Sequence, residues 1–228
     1  MKKVAILQSN YIPWKGYFDI IKKSDLFIFH DDLQYTKGDW RNRNKIKTSN
    51  GLEWLTIPCG TDEKRLICEV KLIDDKWQKQ HWLKIVNNYS KTPFFKDYNL
   101  FFEEFYLSKR WEYLHEFNQS MIIKISQEIF KFNTTFDDSR NYFLTQTKAE
   151  RVLELLLKAK ATDYISGPAA KDYLKEELLT SNGINLHWMD YSNYREYPQL
   201  HPPFEHTVTI LDVLFNNGPN ALNFLGNT

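Results

Sequence analysis

Cysteine is scarce in this chain, with Cys59 and Cys68 the two copies among 228 residues. Their separation matches no metal-ligand spacing and is no disulfide framework, so reduced thiols in a cytoplasmic protein are expected. Charge of one sign is not in excess either, because 30 Lys and Arg against 29 Asp and Glu leave a net charge of +1. Proteins devoted to nucleic acid carry a basic surplus, so no nucleic-acid partner is expected. No apolar run approaches the length needed to cross a bilayer, and the N-terminus lacks the long apolar segment of a secretory leader. Hydrolase signatures are missing as well: there is no Gly-x-Ser-x-Gly, no zinc spacing among the 6 His, and no nucleophile context around either thiol. No metal site is expected from ligand spacing, and the glycine patterns of phosphate loops and dinucleotide turns are absent.

Aromatic residues, by contrast, are abundant, with 7 Trp, 13 Tyr and 16 Phe. They suit either a core packed with rings or a groove that stacks sugar or base rings. The length suffices for one α/β domain over residues 1–228, with a helical subregion at about 75–132.

The chemistry gathers between Val4 and Lys47. The run Val4-Ala5-Ile6-Leu7 reads as a strand buried on both faces, and Phe18, Ile20 and Ile21 fall at helical spacing. A second buried run, Leu26-Phe27-Ile28-Phe29, closes at Asp31-Asp32. In open parallel sheets ligands bind beyond the carboxyl ends of the strands. Both strands deliver polar groups there: Gln8 and Asn10 after the first, and His30, Asp31, Asp32 and Gln34 after the second. The basic run Arg41-Asn42-Arg43-Asn44-Lys45-Ile46-Lys47 follows at once. It could clasp phosphate or carboxylate, or form a solvated hairpin strand. These groups are expected to converge on one hollow.

Asn50-Gly51 signals a tight hairpin turn, joining the basic strand to Leu52–Ile57. Arg65–Ile73 is read as another strand, with Cys68, Val70 and Leu72 on one face. Asp75 and Gln78 suggest a capping box for the next helix. Ser108 is read as the cap of a long helix with Leu114, Phe117, Met121, Ile122, Ile125 and Ile129 as its core stripe. Asp137, Asp138 and Arg140 suit a turn with a surface ion pair. A helix from Thr147 precedes the short strand Thr162–Ile165. Ser166-Gly167-Pro168 then opens a helix whose freed amides, with Ser166 and Lys171, offer an anion site or a plain turn. A further strand is expected over Leu186–Tyr191. The segment Tyr194–Phe204 is extended, with Tyr197, Gln199 and His201 lining a pocket or serving a surface strap. Thr209 is read as the cap of a last helix.

Together Gln8–Asp19, Asp31–Tyr35, Asn42–Lys47, Tyr164–Leu174, Tyr197–Leu200 and Ile210–Asn216 resemble the motifs of the WbqC-like family over nearly the whole chain, with Ser9 standing where the first motif has proline. That family occurs among bacterial genes for O-antigen and other surface polysaccharides, so the resemblance implies work on sugar intermediates, but it carries over no catalytic residues; Tyr11, Trp14, Lys15, Gly16 and Tyr17 of the first motif are expected at the substrate. The order of strand, polar motif, helix and strand is also similar to pantothenate synthetase and the cytidylyltransferases. This implies a Rossmann-like, nucleotidyltransferase-like N-terminal unit in a mostly parallel α/β sheet with a hairpin insertion. The paired histidines of those enzymes are missing here; Gln8 or Asn10 and Trp14 or Lys15 stand in their places.

Three functions stay open. The first is amide formation between a small carboxylate or amino acid and a nucleotide-linked amino sugar, driven by ATP with magnesium. Arg41, Arg43, Lys45 and Lys47 would then hold phosphates, Asp31 or Asp32 would take the amine's proton, and Gln8, Asn10 and Tyr11 would orient the acyl donor. The second is a nucleotidyltransferase with Asp31 and Asp32 on magnesium. The third is a non-catalytic sugar-nucleotide-binding subunit. A homodimer is one alternative for its assembly.

Overall fold

A computed structural model describes residues 1–226. The first apolar run forms β1 (Lys3–Leu7), followed by α1 (Lys15–Lys23) and β2 (Leu26–Phe29). Successive strand side chains point to opposite faces. Val4, Ile6, Leu26 and Ile28 accordingly enter one apolar cluster, and Ala5, Phe27 and Phe29 enter another. β3 (Arg43–Thr48) and β4 (Gly51–Thr56) make the expected antiparallel hairpin. Its turn is one residue off the expected place: Thr48 pairs with Gly51, so Ser49-Asn50 is the loop. Gly51 alone takes a positive φ, at 100°.

Arg65–Ile73 is not a strand. It holds a single 3-10 turn at Ile67–Glu69 between two isolated bridges, Gln34 with Leu66 and Lys71 with Tyr113. Ile67 and Val70, three residues apart, are both buried, a spacing that a turn satisfies and a strand does not. The helical region comprises α2 (Lys76–Tyr89), α3 (Phe95–Leu107) and α4 (Leu114–Lys124), the last running on into a π-turn at Ile125–Ile129. The Asp75 side chain makes no cap on α2, and the Gln78 side chain, rather than reaching back to Asp75, donates to the carbonyls of Tyr106 and Lys109, each at 2.8 Å. Ser108 ends α3 rather than starting a long helix, and the apolar stripe begins only at Leu114.

β5 (Thr135–Asp138), α5 (Lys148–Lys158), β6 (Asp163–Ser166), α6 (Glu176–Thr180), β7 (Asn185–Trp188) and α7 (Ile210–Asn217) complete the chain. As expected, Arg140 pairs with Asp138 at 2.8 Å in the turn after β5. The five strands outside the hairpin form one parallel sheet in the order β5-β2-β1-β6-β7. One face is covered by Val152, Leu155 and Leu156 of α5 with Leu179 of α6, and the other by α1 and the aromatic-rich helices. The protein is therefore a mixed α/β fold with a mostly parallel sheet and a separate β-hairpin. Among the described residues, no helix is long and apolar enough to cross a membrane.

Candidate functional site

Strand order reverses beside β1: the chain builds outward through β2 and β5, then returns to place β6 and β7 on the other side. Such a switch leaves a crevice at the carboxyl edge of the sheet. A cavity of about 460 Å³ lies there, lined by Gln8 after β1, His30 after β2 and Ser166 and Gly167 at the end of β6. Lys148 and Arg151 from the first turn of α5 and Arg41 from the loop before the hairpin supply three cations, and no carboxylate shares the wall. The positive end of α5 adds to their field.

The polar groups around this cavity are interlocked. Arg41 donates from its guanidinium to the Gln8 Oε1 and forms an ion pair with Asp39 at 2.9 Å. Arg151 donates to the Asp32 carboxylate and, from Nε, to His30 Nε2 at 3.2 Å. Ser139 also donates to Asp32. Burial pushes the His30 imidazole down to about 4, so it is neutral at pH 7. With Nε2 accepting, its proton sits on Nδ1.

Asp31 and Asp32 have different surroundings. Asp31 is 0% exposed. One oxygen accepts the Ser9 backbone N–H at 2.8 Å and the other accepts Gln119 Nε2 at 2.8 Å, while burial raises its pKa above the usual carboxylate value. It is a strut between the tails of β1 and β2 and helix α4, with no oxygen open to an amine or a metal. Asp32 is partly exposed and neighbours two wall residues. Among the described residues, no group of three or more His, Cys, Asp or Glu is placed to hold a metal ion.

The expected single hollow is in fact two. Gln8, Arg41, Ser166 and Gly167 line the cationic cavity. Asn10 and Trp14 line a second cavity of about 190 Å³, with Pro13, Trp40, Asn44 and Thr207. Alternation along the strand puts Arg43, Lys45 and Lys47 on one face and Asn44 and Ile46 on the other, and the three cations meet different neighbours. Arg43 and Lys45 lie over the Trp54 ring, at 4.3 and 5.0 Å. Lys47 is buried and donates to the Pro203 carbonyl, and Asn42 donates to the Ile57 carbonyl at 3.0 Å.

Several other expected contacts are structural. The Tyr11 hydroxyl is buried between His81 Nδ1 at 2.8 Å and the Tyr106 hydroxyl at 2.7 Å. Tyr17 donates to the Gln8 carbonyl at 2.9 Å, and Gln34 to the Glu63 carbonyl at 3.1 Å. Gly16 lies against the Trp14 indole so closely that a Cβ would collide with it. Lys15 is 1% exposed, boxed by the rings of Tyr194, Tyr197 and Phe204, and donates to the Arg195 carbonyl at 3.0 Å. Tyr197 and Gln199 both donate to the buried Asp212 carboxylate at 2.8 Å. The extended segment is thus a strap fastened to α7, and His201 lies on it, outside both cavities. Pro168–Asp172 forms a 3-10 turn rather than the start of a helix, too short for an anion site at its end. Lys171 there lies over Trp188 at 5.4 Å.

Lys148, Arg151, Tyr164 and Tyr173 of the cavity wall were not expected from sequence. Arg151 falls on the polar side of an amphipathic helix, where a solvated charge is the ordinary reading. Asn118 and Gln119 did carry a signal, being amides set beside the apolar stripe. Asn118 donates to the Arg41 carbonyl at 2.8 Å and Gln119 to Asp31, so α4 holds the loops that carry the site.

The family model described as the WbqC-like protein family matches residues 8–224. The chain is 42% identical over 227 residues to a Mycobacterium tuberculosis (strain ATCC 25618 / H37Rv) protein named "Uncharacterized protein Rv1507c", covering 99% of this chain and 98% of that one. No solved structure matches. The match takes in the strap, the second cavity and all of the first but Ile6 and Leu7, and with it this chain belongs to the WbqC-like protein family.

Proposed function

We propose that the protein is a cytoplasmic enzyme of bacterial surface-polysaccharide (O-antigen) biosynthesis that joins a small carboxylate, such as an amino acid, to a nucleotide-linked amino sugar through an amide bond. The observation that carries this reading is the cationic cavity. Arg41, Lys148 and Arg151 surround a space within the usual range for small-ligand sites, at the switch point of a parallel sheet where nucleotides bind, and no carboxylate lines its wall, Asp39 and Asp32 pairing with the two arginines from outside that lining. The three cations hold the diphosphate, Arg41 and Arg151 through forked donors. The Nδ1–H of neutral His30 and the amide of Gln8 orient the substrate.

ATP, with magnesium carried on its phosphates, supplies the driving force. A carboxylate oxygen attacks the α-phosphorus and pyrophosphate leaves; the sugar's amine then attacks the acyl carbon, AMP leaves, and the amine's proton passes to Asp32. Asp32 takes this role in preference to Asp31 because it is partly exposed, whereas Asp31 is fully buried.

The test is incubation with ATP, glycine and other amino acids, and deoxythymidine diphosphate amino sugars, read by mass spectrometry. Expected is a mass gain on the sugar equal to the acyl group. Pyrophosphate release with a new nucleotide sugar would instead mark a nucleotidyltransferase, and neither product a binding subunit. Arg151→Met should weaken nucleotide-sugar binding by about tenfold or more, and Asp32→Asn should abolish turnover while the fold is kept.

A further inference from the structure

The second cavity differs from the first in one decisive respect: none of its walls is charged. Asn10, Pro13, Trp14, Trp40, Asn44 and Thr207 enclose about 190 Å³, in a chain of which 26% of residues are charged. Two indoles offer flat apolar faces, and two carboxamides and a hydroxyl offer neutral hydrogen-bonding groups.

Its polar groups are not all used by the fold. The Asn10 Oδ1 is buried with no protein partner, an unmet acceptor of the kind a ligand donor would satisfy. Asn44, by contrast, is spent on rigidity: its Nδ2 donates to the carbonyls of Tyr11 and Ile12, at 3.1 and 2.8 Å. These bonds hold Ile12 at a φ of 38°, a region that costs a β-branched residue energy. Trp14 is braced by Tyr191 and Tyr194, with ring centroids 5.0 and 5.8 Å away, and Trp40 leans on Trp54 at 5.6 Å. The walls are therefore fixed before anything enters, which lowers the cost of binding.

The two cavities also share their supports. Gln8 and Arg41 face the cationic cavity, whereas Asn10 and Trp40, two residues and one residue away in the chain, face the neutral one. The Tyr11 N–H donates to the Trp40 carbonyl at 2.9 Å and ties the two segments together.

We infer that the neutral cavity is a binding subsite for an uncharged pyranose ring, whose C–H face lies against an indole while its hydroxyls meet the Asn10 carboxamide. An anion finds no cation there and a cation no carboxylate. A purely apolar ligand would leave the Asn10 oxygen unpaired. This subsite goes beyond the proposed amide-forming reaction and stands without it, since it uses none of the cationic cavity's residues.

The experiment titrates the full chain with methyl glycosides of glucose, galactose, mannose and their N-acetylated 2-amino forms. Saturation-transfer NMR reads the sugar, and the Trp40 indole N–H resonance reads the protein. Expected is saturation of ring protons of at least one glycoside, a shift of that indole signal, and affinity about tenfold weaker in Trp40→Ala and in Asn10→Ala. Trp40 is 42% exposed, so its replacement leaves the core intact. Arg151→Met should bind the glycoside as the unaltered protein does, which separates this result from the fate of the cationic cavity. Transfer to no glycoside overturns the proposal, as does binding unchanged in both cavity variants, or adenine or indole shifting the Trp40 signal when no glycoside does.

Discussion

Asp31 and Asp32 are neighbours in sequence with opposite employment, and substitution should separate them. Asp31→Ala strands the Ser9 N–H in a buried space and leaves Gln119 only its bond to Asp138, so urea denaturation should show a loss of about 3 kcal/mol. Asp32→Asn should cost little stability and remove turnover. Lys15 gives a second residue-level test. Burial among three rings lowers its ammonium from 10.5 to about 8, against the opposing pull of Asp212 and Glu196. Between those values the unfolded chain holds a proton that the folded chain has released, so stability rises with pH across that window. The cost of the buried charge is present below about pH 8 and relieved above it. Lys15→Met should flatten this rise, measured as denaturation midpoints from pH 7.5 to 10.5; an unchanged slope would show that Lys15 is not the group responsible. No periodicity announces either behaviour, because both depend on what other segments bring to the side chain.

Among the elements, those built from near neighbours in sequence were readable and those assembled across distance were not. β1, α1, β2, the hairpin and α5 lie close to where their apolar patterns put them, because a strand or helix stripe is a local property. The segment Arg65–Ile73 misled because its alternating apolar residues imitate a strand, while its backbone partners are single residues on distant loops. The join between α7 and the following 3-10 turn (Gly218–Phe224) supplies a test. Gly218 has a φ of 53°, and a Cβ there would collide with the Phe94 ring. Gly218→Ala should therefore lower stability by about 2 kcal/mol or more, read as a fall of several degrees in Tm. A Tm within one degree of the unaltered protein would show that Phe94 can move aside.

For the molecule as a whole, acid should act through its buried histidines. Burial lowers His30 to about 4, His81 to about 3 and His115 to about 4. As pH falls below 6.5 the unfolded chain takes up protons that the folded chain refuses. The stability these groups lend is complete above pH 6.5 and is lost as pH falls towards about 4 and below. The raised carboxyls of Asp31 and Asp212 act in the opposite sense, so the difference made by one histidine is the clean measurement. His81→Phe keeps the bond from Tyr11 to Tyr106, and should cost about 1 kcal/mol at pH 7 and show a shallower loss between pH 6.5 and 4. Parallel curves would mean that His81 is not the group that titrates.

Local pattern was enough for the α/β class, the paired strands with polar tails, the basic hairpin and the family motifs, since each is written in residues that are consecutive or one turn apart. It was not enough to say which polar groups meet. Strand alternation puts Arg43, Lys45 and Lys47 on one face of the ribbon, yet the first two lie over Trp54 while the third reaches the Pro203 carbonyl; the Gln8-Ser9-Asn10 tail serves two cavities, and Arg151 reaches Asp32 from a helix 119 residues along the chain. Contacts of that separation are set by how the strands are ordered in the sheet and by which face each helix covers, and no short window of sequence contains either.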